Sequence, residues 1–167
     1  MDDDNLDPEG PQPRDESEDL ADLPAVEFAD FVAACIRIRR ERRLLRPDKF
    51  FHAEPLALRA DVPNVLWFGP DGQGIPPEAW HDADGRISVM LNGDGERSLV
   101  MILNPNGESE FTVPPMGEAP DLPREWRVVV DCATGEVEPK RAPVKTGDRL
   151  PVGDRTLILL ESTEVLQ

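Results

Sequence analysis

The sequence predicts an all-β protein: an antiparallel β-sandwich preceded by one α-helix and a disordered acidic N-terminal tail. Three observations carry this. The 167 residues hold 18 prolines and 12 glycines, a density that favours many turns over long helices. From Asn64 onward, short apolar runs rich in strand formers alternate with turn signals. Ahead of them lies a single stretch whose apolar residues recur at helical spacing. Hydrophobic residues make up 39% of the chain, enough for one core of moderate size.

The predicted organisation is a tail over 1–22, a helix over 23–47 and a sandwich over 48–167. The tail is acidic and poor in large apolar side chains, with Pro8, Pro11 and Pro13 interleaved, so burial there cannot offset the entropy of ordering it. It reads as a solvated leader, with a charged interaction tether as the alternative. Asp22 is placed to cap the helix and Pro24 falls in the first turn, where proline is tolerated. Phe28, Phe31, Val32, Cys35 and Ile38 form one apolar stripe that needs a partner, either the sandwich itself or another chain. Arg37, Arg39, Arg40, Arg42 and Arg43 crowd the C-terminal half, with the sign that suits the helix dipole, and Pro47 is the expected stop.

Strands are expected at Asn64–Phe68, Ile87–Leu91, Leu99–Leu103, Glu110–Val113, Trp126–Asp131 and Thr156–Glu161, with a weaker one between Pro143 and Val152. The breakers are Gly69 to Gly72, Asn92-Gly93, Asn104 to Gly107, the proline-rich Pro114 to Pro123, Thr134-Gly135 and Gly153-Asp154. Short strands spaced by such turns favour antiparallel pairing in a sandwich.

Taken together, these pieces resemble part of a known family. Phe28 through Phe51, with its arginine-rich middle and closing pair of phenylalanines, looks like the last barrel helix of bacterial glycogen-debranching enzymes, the isoamylase-type members of the α-amylase superfamily. Ser98 to Asn104, Glu110 to Pro114, Trp126 to Asp131 and Arg155 to Leu160 resemble, in order, successive strands of their C-terminal β-domain. The resemblance implies that a complete relative hydrolyses α-1,6 branch linkages in glycogen or limit dextrin, and that this domain packs on the catalytic barrel.

Catalytic groups are not among the residues that carry the resemblance. A retaining glycosidase sets two carboxyl groups about 5 Å apart, here at the strand ends of a (β/α)₈ barrel that typically needs about 250 residues. The chain is shorter and lacks repeated strand–helix alternation. No catalytic residue is therefore carried over. His52 and His81 have no partner at metal-ligand spacing, Asn92 to Gly95 reads as a turn and not a phosphate loop, and no Gly-x-Ser-x-Gly motif is present. The reading expects no metal and no cofactor.

The net charge of −16 opposes binding to nucleic acid or to an anionic membrane. Cys35 and Cys132 lie in unlike segments, no leader peptide or spanning run is seen, and the expectation is a cytoplasmic protein with reduced thiols. Among the tryptophans, Trp67 and Trp126 read as core, whereas Trp80 sits in a loop. Trp80 reads first as an anchor on the sandwich and second as a platform for a sugar ring. Three functions follow: a non-catalytic accessory domain of a debranching-type protein; an α-glucan-binding module using Trp80, Asp71, Gln73 and His81; and an interaction module whose helix stripe meets a barrel protein or a second copy.

Overall fold

The computed structural model describes residues 25–81, 84–117 and 122–166. The tail expected over 1–22 and the helix cap expected at Asp22 lie outside them. Helix α1 (Ala25–Glu41) contains neither glycine nor proline. It stops short of Pro47, because Arg42 turns extended (φ −106°, ψ 110°) and the chain makes one 3-10 turn over Arg43–Leu45. Arg46 supplies the cap: its Nε and Nη2 donate to the carbonyls of Arg39 (3.0 Å) and Arg40 (2.5 Å), which helix geometry leaves without partners. No helix among the described residues is long and apolar enough to cross a membrane.

The strands are β1 (Val65–Phe68), β2 (Ile87–Leu91), β3 (Arg97–Asn104), β4 (Ser109–Thr112), β5 (Glu125–Asp131), β6 (Glu136–Val137), β7 (Val144–Lys145), β8 (Arg149–Val152) and β9 (Thr156–Val165). Seven form one sheet in the order β1-β2-β3-β9-β5-β6, with β7 also on β5; β4 and β8 make the second sheet. Every pairing is antiparallel. The weak strand expected before Val152 resolves into β7 and β8, separated by Gly147 at φ +88°. Strand β6 is additional, and at two residues it is too short to show a period.

Both faces of the large sheet are covered, which is why Leu99–Leu103 and Leu157–Leu160 read as unbroken apolar runs. Inside the sandwich, the row Met90, Val100, Leu160 and Val128 crosses four strands. That face meets Phe111 and Val152 from the small sheet and Val113 just after β4, with Trp126 fully enclosed and its Nε1 donating to Thr146 Oγ1 (3.1 Å). On the other face Val65, Val89, Leu91, Leu99 and Leu159 pack with Ile38 and Leu44, flanked by Phe31 and Cys35. The layers therefore run helix, large sheet, small sheet. Asn104, at the end of β3, donates Nδ2 to the carbonyls of Gly107 and Gly153 (both 2.6 Å), tying two turns of the sandwich together.

Phe111 joins the small sheet to the large one, and Phe50 lies in solvent at 87% exposure. Phe111→Ala is expected to cost about 3–5 kcal/mol in urea unfolding, the usual cost of emptying a core aromatic site. Phe50→Ala is expected to stay within about 0.5 kcal/mol of the parent.

Candidate functional site

Two surfaces bear on the expected sites. The first is aromatic. In β1, Trp67 shares a face with Val65 and stands opposite Val89, in a row that continues through Met101 to Leu159. It was expected in the core and is instead 40% exposed. The reason is position: β1 is the last named strand of the sheet, and beyond it only the chain returning at Gly74 and Ile75 bonds to its outer side.

After Phe68 the chain reverses at Gly69 to Gly72. Gly72 has φ +76°, which favours glycine, and a side chain there would press on Thr112 of β4. Thr112 N–H in turn donates to the Pro70 carbonyl (2.7 Å), so the turn is fastened to the small sheet. Asp71 Oδ1 accepts from Gln73 N–H (2.9 Å), an Asx turn, and Ile75 N–H returns to the Trp67 carbonyl (3.0 Å). A 3-10 turn over Pro77–His81 then lays Trp80 edge-on against Trp67, with ring centroids 5.4 Å apart and planes at 78°.

Trp80 is 41% exposed, matching its partner. Asp71 and Gln73 are exposed on the turn that leads from one indole toward the other, and His81 ends the 3-10 turn. Asp82 lies outside the described residues. The arrangement can offer indole surface and turn polar groups to a ligand with apolar C–H faces. Among the described residues, no three His, Cys, Asp or Glu side chains converge to hold a metal ion.

The second surface is the helix. Its stripe divides: Phe31, Cys35 and Ile38 pack on the sheet, whereas Phe28 and Val32 are exposed. Ile36 is exposed as well, completing a row at 28, 32 and 36 whose four-residue spacing is a helix-face signal. Sequence reasoning missed Ile36 because the eye follows Ile38. Partial burial raises the pKa of the Cys35 thiol on the helix; for Cys132 after β5, whose residue surface is exposed, loss of water around the sulfur and the neighbouring Cys35 and Asp131 raise it despite the Leu157 backbone bond.

Charged groups fix the helix in place. Arg42, with a side chain only 10% exposed, donates Nε to buried Glu161 on β9 (2.9 Å). Arg127 on β5 donates its own Nε to the other Glu161 oxygen (2.8 Å). Beside this pair, Arg37 and Arg42 both donate to Glu138 (3.1 and 3.3 Å). The arginines expected only to complement the helix end thus include the residue that anchors it.

Partial burial pushes the Glu138 carboxyl up, but hydrogen bonds from Arg37 and Arg42 and their positive charges outweigh it, and its pKa is lowered. A depressed carboxylate contributes stability that is present above its unfolded pKa, about 4.3, and is lost as the pH falls through the folded value. The urea midpoint of the parent should therefore exceed that of Glu138→Gln at neutral pH. That gap should close below about pH 4. A gap that stayed constant with pH would contradict the assignment.

No protein-family model matches the chain. Curated proteins named "Glycogen operon protein GlgX homolog", from two strains of Mycobacterium tuberculosis and one of Mycobacterium bovis, are each 26% identical to it over 149 residues. The match covers 80% of this chain and 20% of each of those proteins, so the chain spans about a fifth of the length of the curated relatives it matches. The chain thus has weak homology to one part of these glycogen operon proteins, in line with the resemblance read from the strands and the helix.

Proposed function

We propose that these residues form a non-catalytic β-domain of a glycogen-debranching-type protein, working in the cytoplasm, and that the domain supports a catalytic barrel. The observation that carries this is the strand pairing. Every named strand runs antiparallel to its neighbours, whereas a (β/α)₈ barrel needs parallel strands whose C-terminal ends present the catalytic carboxylates. The homology to a fifth of a glycogen operon protein supports the assignment to glycogen breakdown. The exposed row Phe28, Val32 and Ile36 supports a docking role, since it lies on a helix already fixed to the sandwich by Ile38 and Arg42.

Capture by an isoamylase-type barrel stripped of its own β-domain tests this reading. Binding at micromolar concentration is expected, weakened about tenfold or more by Val32→Asp with Ile36→Asp. Absence of binding would contradict the docking role. A second reading, a glucan contact, is favoured by the exposed Trp67–Trp80 pair. It predicts that the chain sediments with glycogen and that Trp80→Ala abolishes this; glycogen left unbound by the parent would rule it out.

A further inference from the structure

Two free thiols that lie far apart in the sequence meet on one face of the fold. Helix α1 and the turn after it run along β9, and two points fix their course. Leu44 lies against Gly93, in the turn whose Gly95 N–H donates to the Leu166 carbonyl just beyond β9 (3.0 Å). Arg42 donates to Glu161 in the middle of β9. Traced back from Arg42, the helix reaches Cys35 after about 10 Å at 1.5 Å per residue. From Glu161 back to Leu157, β9 covers about 13 Å. Cys35 and Leu157 accordingly belong to one apolar cluster, together with Val130 and Val137.

Cys132 reaches the same place from β5. Its N–H donates to the Leu157 carbonyl (3.0 Å), continuing the ladder in which Val130 stands opposite Leu159 and Asp131 opposite Ile158. Side chains alternate along a strand, so Cys132 takes the face of Val130 and Leu159, which is the helix side. Cα atoms of α1 approach within 8 Å of those of β6, the strand that returns from the turn begun at Cys132. The thiols also sense each other: loss of water around its sulfur, and next the charge of Cys35, raise the pKa of Cys132.

We propose that Cys35 and Cys132 are a reversible disulfide pair that staples α1 to the end of β5, formed by exchange with a low-molecular-weight disulfide such as glutathione disulfide. The more exposed Cys132 reacts first. Its thiolate attacks one sulfur of the oxidant, a mixed disulfide forms and one glutathione leaves. The Cys35 thiolate then attacks the Cys132 sulfur, the protein disulfide forms and the second glutathione leaves. Two protein thiols are oxidised, one glutathione disulfide is reduced, and the two thiol protons end on the two glutathiones. The bond requires Cα atoms about 4.4–6.8 Å apart, so in the folded chain it reports α1 seated on the sheet. It depends neither on the docking role nor on the glycogen assignment proposed above.

Incubating the reduced full chain with glutathione disulfide and following its intact mass tests the pair. The folded parent is expected to end as a monomer lacking two hydrogens. Its urea midpoint should rise above that of the reduced chain, because the link constrains the unfolded state. Release of the second glutathione should be about tenfold faster or more in buffer than in urea, where the fold no longer holds the thiols together. Cys35→Ser should instead keep one glutathione on Cys132. Three results would overturn the proposal: no protein disulfide in the folded parent, whether its thiols stay free or keep glutathione; a disulfide that forms no faster in buffer than in urea; or an oxidised chain whose urea midpoint is not raised.

Discussion

Glu161 carries a carboxylate onto the helix-side face of the central strand β9, and two guanidinium groups converge on it there. β9 pairs with β3 on one side and β5 on the other, so whatever holds it holds the large sheet. Arg127 reaches Glu161 from within the sheet, whereas Arg42 comes from the end of the helix. A buried charge left unpaired is strongly destabilising, by about 3–5 kcal/mol in comparable cases. The helix end therefore has one favourable seat. Apolar contacts of Phe31, Cys35 and Ile38 supply the bulk of the attraction, since hydrophobic burial is non-directional. The charge pair supplies the direction.

That seat decides which surfaces remain for function. With Phe31, Cys35 and Ile38 turned to the sheet, the row Phe28, Val32 and Ile36 is presented outward. With β1 at the sheet edge, Trp67 is left for Trp80 to cover only in part. Where the helix gives way to the 3-10 turn, Leu44 lies against Gly93. A docking row, an aromatic pair and a pair of thiols thus follow from the placement of one helix on one sheet.

Much of the fold was legible because turn chemistry marks its boundaries. Gly-Pro-Asp-Gly after Phe68 and Asn-Gly after Leu91 closed their strands where expected, and Ile87–Leu91 agreed at both ends. The losses have physical causes. Alternation tells which residues share a face but not which strand lies at an edge, so Trp67 was assigned to the core. A helix ends where its carbonyls find other donors, and Arg46 supplied them before Pro47 could act. Arg42 could not be told from its neighbouring arginines, because its partner Glu161 lies 119 residues away. The thiol pair left no trace at all: Cys35 and Cys132 come from a helix and a strand end that meet only in the folded chain.

The account is tested most directly by incubating the purified chain with a branched α-1,6-linked glucan and measuring new reducing ends. A supporting domain releases none, at any pH at which it stays folded. Sustained release that tracks the pure folded chain would contradict the account, because it would require paired catalytic carboxylates on an antiparallel sandwich.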